Sequence, residues 1–320
     1  MADLAKMVGV STITVSRALA DSPLVNPETR SRIQALAKEH GYAYNINARN
    51  LRLGRSNTVA VVIEMAPSAQ RQMSGPYPLA LLGGIIQELT SAGYSLLLTA
   101  LTEDEPPPGV RAADGVILLG QGPHERAMHT VREWGRPLVV WGAVSRNQSE
   151  TVIGSDNVRG GQLAAERFLA LGRRRPAFVG DATHGEFAER LHGFSEAFAA
   201  HGVTPLLCDA PPLTIAAGSQ AVHALLQAHP QVDAIFAASD LLAIGAVRAV
   251  IERGRRIPEE VSVIGFDDSP MGATYVPPLT SIHQDFTQAG ALLAKRMLEV
   301  IDGQTVAPEV LPTQLVVRAT

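Results

Sequence analysis

The chain has 320 residues, 46% of them hydrophobic, which is enough to bury more than one core. Its 27 Lys and Arg stand against 31 Asp and Glu, net −4, so any polyanion partner must be met by one region and not by the chain at large. One cysteine, Cys208, excludes an intramolecular disulfide and a thiolate cluster, and no apolar run is long enough to span a bilayer.

The first element spans residues 3–8, where Leu4 and Val8 stand at i, i+4 and Gly9 closes the helix. Ser11 offers a capping hydroxyl for a second helix on which Val15, Ala18 and Leu19 face inward. Thr12, Ile13, Ser16 and Arg17 then share an outward face. An exposed Ile suits a thymine methyl, and Arg17 suits bidentate pairing with guanine, so a major-groove reading helix is expected. The plainer alternative is an ordinary helical hairpin with one stray Ile. A third helix begins at the cap Asn26 and Pro27, buries Ile33, Leu36 and Ala37, and stops at Gly41. Residues 1–57 hold eight Lys and Arg against four acids, net +4, which leaves −8 for the rest. A basic head on an acidic body points to DNA reached by the head alone.

Residues 45–58 are polar and basic, short of core residues, and read as a linker in the free protein. Ala48, Leu51 and Arg52 nonetheless fall at helical spacing, so the segment could order on a surface. From Thr58 onward, strand candidates Val59–Ile63, Ser95–Thr99, Gly115–Leu119, Leu138–Trp141, Ala177–Gly180, Ala234–Ala237 and Val261–Phe266 alternate with helical stretches. The helices fall near 79–92, 124–134, 159–171, 186–201, 217–228, 240–253 and 286–302. This alternation predicts parallel sheets with helices on both faces, as two units or as one large doubly wound domain. The glycines of Leu82-Gly83-Gly84-Ile85 lie in an apolar run and read as close packing. The nine histidines show no metal-ligand spacing, and neither a GxSxG elbow nor a phosphate-binding Gly-Lys loop occurs. No catalytic residue, no metal and no cofactor is therefore expected. With no basic-then-apolar leader, the expected compartment is the cytoplasm, with no membrane partner.

The segments GVSTITVSRAL, VNPETRSRI and GYAYNINARNLRLGRSNTVAVVI resemble the lactose-repressor (LacI/GalR) family of bacterial transcription regulators. The resemblance continues through ALLGGIIQEL, GSDNVRGGQLAAERFLALGRRR, ERLHGF, SDLLAIGAVRAV and VSVIGFDDSPMGATYVPPLTSIHQDF. It implies a helix-turn-helix headpiece over 1–44, a hinge helix or linker over 45–58, and an effector-binding and dimerisation body over 59–320. That body would be α/β, two-lobed and like the type I periplasmic binding proteins. Lobe 1 would take about 59–156 and 285–312, and lobe 2 about 157–284 and 313–320. The family's hinge helix sits in the minor groove, where Leu51 matches the wedging leucine and Arg49, Arg52 and Arg55 would neutralise phosphates. Ser11, Asn26, Thr29 and Ala48 join the expected DNA-contacting set. Only Met1 and Ala2 precede Asp3, fewer residues than the family carries there, so a helix cap worth roughly 1 kcal/mol is expected to be missing.

Ligands of open α/β sheets sit at the carboxyl ends of strands. Asp267 ends such a strand where the resemblance puts an effector-binding acid, and Arg190 matches the family's ligand-contacting arginine. An Asp and an Arg suit vicinal hydroxyls; the alternative for them is a structural salt bridge. Ser239 and Asp240 fall where relatives carry Asn-Asp, with Asp240 equally able to cap the helix that follows. Tyr77 and Trp141 would supply aromatic faces, Trp141 being also a candidate core filler, and Asp156 reads as a hinge or cap residue. The expectation is a homodimeric repressor of carbohydrate-utilisation genes, binding palindromic double-stranded operator DNA under control of a mono- or disaccharide. The alternatives are a sugar-binding protein without DNA-binding function and an enzyme on a doubly wound fold.

Overall fold

The computed structural model describes residues 2–19, 21–40, 42, 55–64, 76–101, 105–120, 125–144, 150–210 and 213–320. Two units separate, Met1–Ser56 and Asn57–Thr320.

In the first unit, helices α1 (Ala2–Val8), α2 (Thr12–Leu19) and α3 (Pro27–Glu39) enclose a small core. Leu4, Ala5, Val15, Ala18, Val25, Ile33 and Ala37 are buried there, with Val8, Leu19 and Leu36 packed at its edge. Gly9 takes φ +75°, a left-handed conformation that lets α1 end within one residue. The Ser11 hydroxyl accepts the Thr14 N–H at 3.1 Å, and Asn26 Oδ1 accepts the Glu28 N–H at 2.9 Å. Each cap satisfies a helix-end donor and is worth about 1 kcal/mol. α3 closes on His40, whose N–H reaches Leu36 O; Gly41, the expected stop, lies outside the described residues.

The second unit holds two six-stranded sheets. The first has the order β11-β5-β4-β3-β1-β2, with β1 Thr58–Ile63, β2 Ser95–Ala100, β3 Gly115–Leu119, β4 Leu138–Trp141, β5 Thr151–Ser155 and β11 Glu309–Leu311. The second has the order β12-β10-β9-β8-β6-β7, with β6 Pro176–Val179, β7 Leu206–Cys208, β8 Ala234–Ala237, β9 Ser262–Asp267, β10 Thr280–His283 and β12 Gln314–Val316. Every pairing is parallel except β10 with β12, which is antiparallel because the chain re-enters that sheet three residues after leaving the other. The chain passes between sheets after Ser155, after His283 and after Leu311.

The helices are α4 Pro76–Ser91, α5 Pro108–Ala112, α6 Arg126–Glu133, α7 Asn157–Ala170, α8 Gly185–Ala199, α9 Ile215–Ala228, α10 Asp240–Glu252, α11 Pro270–Thr274 and α12 Phe286–Ile301. The two-residue period of a strand divides the first sheet's side chains cleanly. Val59, Val61 and Ile63 face the cluster under α4 and α12, while Ala60 and Val62 face the one under α5 and α6. Both faces are covered, so these strands are apolar throughout and do not alternate. In the second sheet one core contains Phe168, Phe178, Phe194, Phe198, Phe236 and Phe266, each fully buried and each contributing roughly 1.5–3 kcal/mol.

Helices α4 and α12 approach through glycine. A Cβ on Gly84 would strike Thr287 O and Ala291 N, and one on Gly290 would strike Leu81 O. Gly83 corrects the expectation for that pair: a Cβ there meets nothing within 4 Å, because it lies about 100° round α4 from Gly84 and is exposed.

Candidate functional site

The carboxyl ends of β1, β3, β4 and β5 in the first sheet and of β9 and β10 in the second border one cavity of about 480 Å³. All six residues expected at an effector site line it: Tyr77, Trp141, Arg190, Ser239, Asp240 and Asp267.

Asp267 closes β9 with φ +110°, and Asp268 follows at φ +52°. Two successive non-glycine residues in that half of the map cost of order 1–3 kcal/mol each, so surrounding bonds must hold them. They do. Gln284 Nε2 donates to Asp267 Oδ1 at 2.8 Å. Beneath them Asp240, 1% exposed, accepts from the Ser269 N–H and from the Ser281 hydroxyl, both at 2.6 Å. Burial pushes both the Asp240 and Asp267 carboxyls above the usual carboxylate range. For Asp267 the Arg190 charge opposes that rise and the Asp240 charge adds to it; for Asp240 the serine bonds oppose it.

Asp240 is not the helix cap. Ser239, in extended conformation, caps α10 by accepting the Leu242 N–H at 3.4 Å, and Asp240 is already helical. The capping role belongs to the residue that keeps strand-like dihedrals, which frees Asp240 to tie down the 267–269 turn.

Arg190 leaves α8 into the cavity wall and is 5% exposed. Its guanidinium carbon lies 3.7 Å from the Phe266 ring centroid. Nε donates to Asn157 Oδ1 at 2.9 Å and Nη1 to Ala238 O at 2.5 Å. Asn157 is fixed in turn by donating to Glu189 Oε2 at 3.0 Å, and burial raises the Glu189 carboxyl to about 7. Burial also lowers the Arg190 pKa, while the charges of Asp267 and Glu186 oppose that fall. Arg190 and Asp267 form no ion pair within 4.0 Å among the described residues, so the structural salt bridge weighed for them is not formed; both line the cavity.

The apolar wall is aromatic. The Phe286 ring meets Tyr77 edge-on at 5.0 Å and Trp141 at 6.2 Å. Sequence reasoning missed Phe286, Gln284, Asn157 and His283. All four sit where the chain passes between sheets, at the lobe boundaries near 156 and 284 that the resemblance implied. Asp156 caps α7, accepting the Arg159 N–H at 2.9 Å, in line with its expected role.

In the head, Thr12, Ile13 and Arg17 are exposed on α2, Ile13 at 60%. Ser16 and Thr29 are half-buried, and the Ser11 and Asn26 acceptors are engaged as caps. Arg55 is exposed, and Ala48, Arg49, Leu51 and Arg52 lie outside the described residues. Among the described residues no acidic, His or Cys cluster could hold a metal, and no helix is long and apolar enough to cross a membrane.

A basic three-helix head and a two-sheet body with a polar-aromatic cleft define the class: a DNA-binding regulator with a small-molecule site. Residues 1–45 match the bacterial regulatory proteins of the lacI family, and residues 165–320 match the periplasmic binding protein-like domain. The chain is 34% identical to the HTH-type transcriptional regulator CelR of Thermobifida fusca, over 98% of this chain and 96% of that protein. It belongs to the lacI family of bacterial regulatory proteins, as the resemblance in the motifs implied. Among solved structures, a transcriptional regulator CelR–cellobiose complex superposes with TM-score 0.72 at 31% identity, covering 99% of this chain and 98% of that one. A lac repressor dimer bound to operator and the anti-inducer ONPF gives TM-score 0.85 at 25% identity, covering 99% and 97%.

Proposed function

We propose that this protein is a homodimeric, cytoplasmic repressor that binds a palindromic operator and is switched by a sugar of one or two rings. Thr12, Ile13 and Arg17 read each half-site, and Leu51 wedges the central step while Arg49, Arg52 and Arg55 neutralise phosphates. The observation that carries the sugar reading is the pairing of an aromatic wall with a cavity-lining Arg and Asp in one cavity. Aromatic faces pack on the apolar face of a pyranose, and Arg190, Asp267 and Gln284 hydrogen-bond its hydroxyls. The relative solved with cellobiose supports a two-ring ligand. We read the chain as non-enzymatic: the cavity gathers recognition groups, and its relatives are regulators.

Selection of a random duplex pool on the purified protein tests the DNA half. A two-fold palindrome with a flexible pyrimidine–purine centre is expected. Leu51→Ala should cost specific binding far more than non-specific binding. Titrating cellobiose, glucose and ribose against the selected duplex tests the other half: one of them should shift operator affinity by roughly 5- to 150-fold. No enriched palindrome, or no sugar that shifts affinity, overturns the corresponding half.

A further inference from the structure

β10 ends at His283, and its register sets His283 beside Asp267 across the sheet's carboxyl edge. Both line the cavity, yet their surroundings differ. Arg190, Asp240 and Gln284, which mark the cavity's inner end, are nearly inaccessible, whereas 40% of the His283 side chain is exposed. His283 therefore stands at the outer end.

Its ring is held by more than packing. Nδ1 lies 3.1 Å from Asp268 Oδ2, and a carboxylate only accepts, so Nδ1 carries the proton there. Asp268 is itself clamped: Oδ1 accepts from Arg318 Nη2 at 2.6 Å, and its N–H donates to Ser281 Oγ at 3.1 Å. Arg318 is anchored by donating to Leu279 O at 2.8 Å and, through its N–H, to Thr280 Oγ1 at 3.0 Å. The left-handed backbone of Asp268 is thus secured at three points, and one effect is to fix a histidine's orientation at the cleft rim. The other ring nitrogen, Nε2, has no protein partner among the described residues. In the neutral ring it accepts a hydrogen bond and in the charged ring it donates one; a sugar hydroxyl answers either.

We propose that His283 is a specificity-determining residue: it contacts the outer ring of a two-ring sugar through Nε2, with Asp268 as the positioning residue that orients it. This rests on the reading of the cleft as a sugar site. The inner polar set, Arg190, Asp267 and Gln284, takes the first ring, and His283 supplies the polar contact that favours a second.

The test is calorimetry of the full-length protein with cellobiose and with glucose, for wild type, His283→Ala, His283→Gln and Asp268→Asn. His283→Ala is expected to lose about tenfold in cellobiose affinity, the worth of one such hydrogen bond, with glucose affinity unchanged within about twofold. His283→Gln, which keeps a polar amide of similar reach, should recover part of that loss. Asp268→Asn should lower the cellobiose-to-glucose ratio in the same direction by less. A purely structural role would lower both affinities together, so equal losses overturn the proposal, as does a His283→Ala protein that matches wild type for both sugars. A wild type that takes glucose and rejects cellobiose overturns the two-ring site. A wild type that binds neither but responds to ribose overturns this inference alone, and one that responds to none of the three overturns the sugar reading with it.

Discussion

Arg190 shows how one side chain serves two sites of demand. Its Nε and Nη1 satisfy acceptors inside the protein while its charge is offered to the cavity. Arg190→Ala should therefore weaken sugar binding by roughly 10- to 100-fold through loss of a charge-assisted pair, and leave operator affinity in place. It should also destabilise the body by about 1–3 kcal/mol, since Asn157 and Ala238 keep unmet acceptors; urea denaturation reads that term apart from calorimetry. A pH effect belongs to Asp267. Its folded pKa is raised above the unfolded value of about 3.9, so the folded state holds the extra proton. The associated stability is complete below about pH 4 and is lost as pH rises through the folded value. Sugar hydroxyls donate best to the ionised carboxylate, so affinity is expected to rise between about pH 5 and about pH 8 and to flatten in Asp267→Asn. A flat wild-type profile would remove Asp267 as the acceptor. Arg190 and Asp267 were legible in the sequence because each sits in a motif the family shares. The Ser239 cap was not, because neighbouring Ser and Asp are equally good caps and only backbone dihedrals choose between them.

Among the elements, what the sequence reveals depends on length and cover. Gly115–Leu119, Leu138–Trp141 and Ala234–Ala237 are legible to the residue, being apolar runs bounded by Gly, Pro or Asp. Thr151–Ser155, Thr280–His283 and the three-residue strands Leu206–Cys208, Glu309–Leu311 and Gln314–Val316 were missed. Leu206–Cys208 is too short to show a pattern, the others carry polar residues, and all owe their form to the strands they pair with. The α4–α12 pair gives a sharp test of packing. Gly290→Val puts branched carbon against Leu81 O, and no side chain can yield because the obstacle is backbone. A loss of about 1–3 kcal/mol is expected in urea denaturation, against a gain of up to about 1 kcal/mol for Gly83→Ala, where space is open and alanine is the better helix former. Equal changes at the two positions would remove close approach as the cause, because propensity alone favours both substitutions.

Across the whole molecule, charge is divided as function requires: the head is net +4 and the remainder −8. Operator affinity should fall on the order of a thousandfold between about 50 and about 200 mM salt, as counterions released from phosphate are returned. Sugar affinity should stay within about twofold over the same range, because hydroxyl hydrogen bonds release no counterions. If the two fell in parallel, salt would be acting on the fold and not on DNA contact.

Gln284 and Phe286 line the cavity and also form the second passage between the sheets. A sugar resting on them touches the joint and the pocket in one contact, so recognition cannot be optimised independently of motion. For a protein switched by such a ligand, what matters is not how tightly a compound is held but how unequally two states of the protein hold it. Some tight-binding sugars should prove silent, occupying the cleft without moving the operator equilibrium. Small changes in the lining could turn a silent sugar into a signal, or reverse the sign of an existing one, with little change in affinity. Evolution of a new response would in that case begin at the joint.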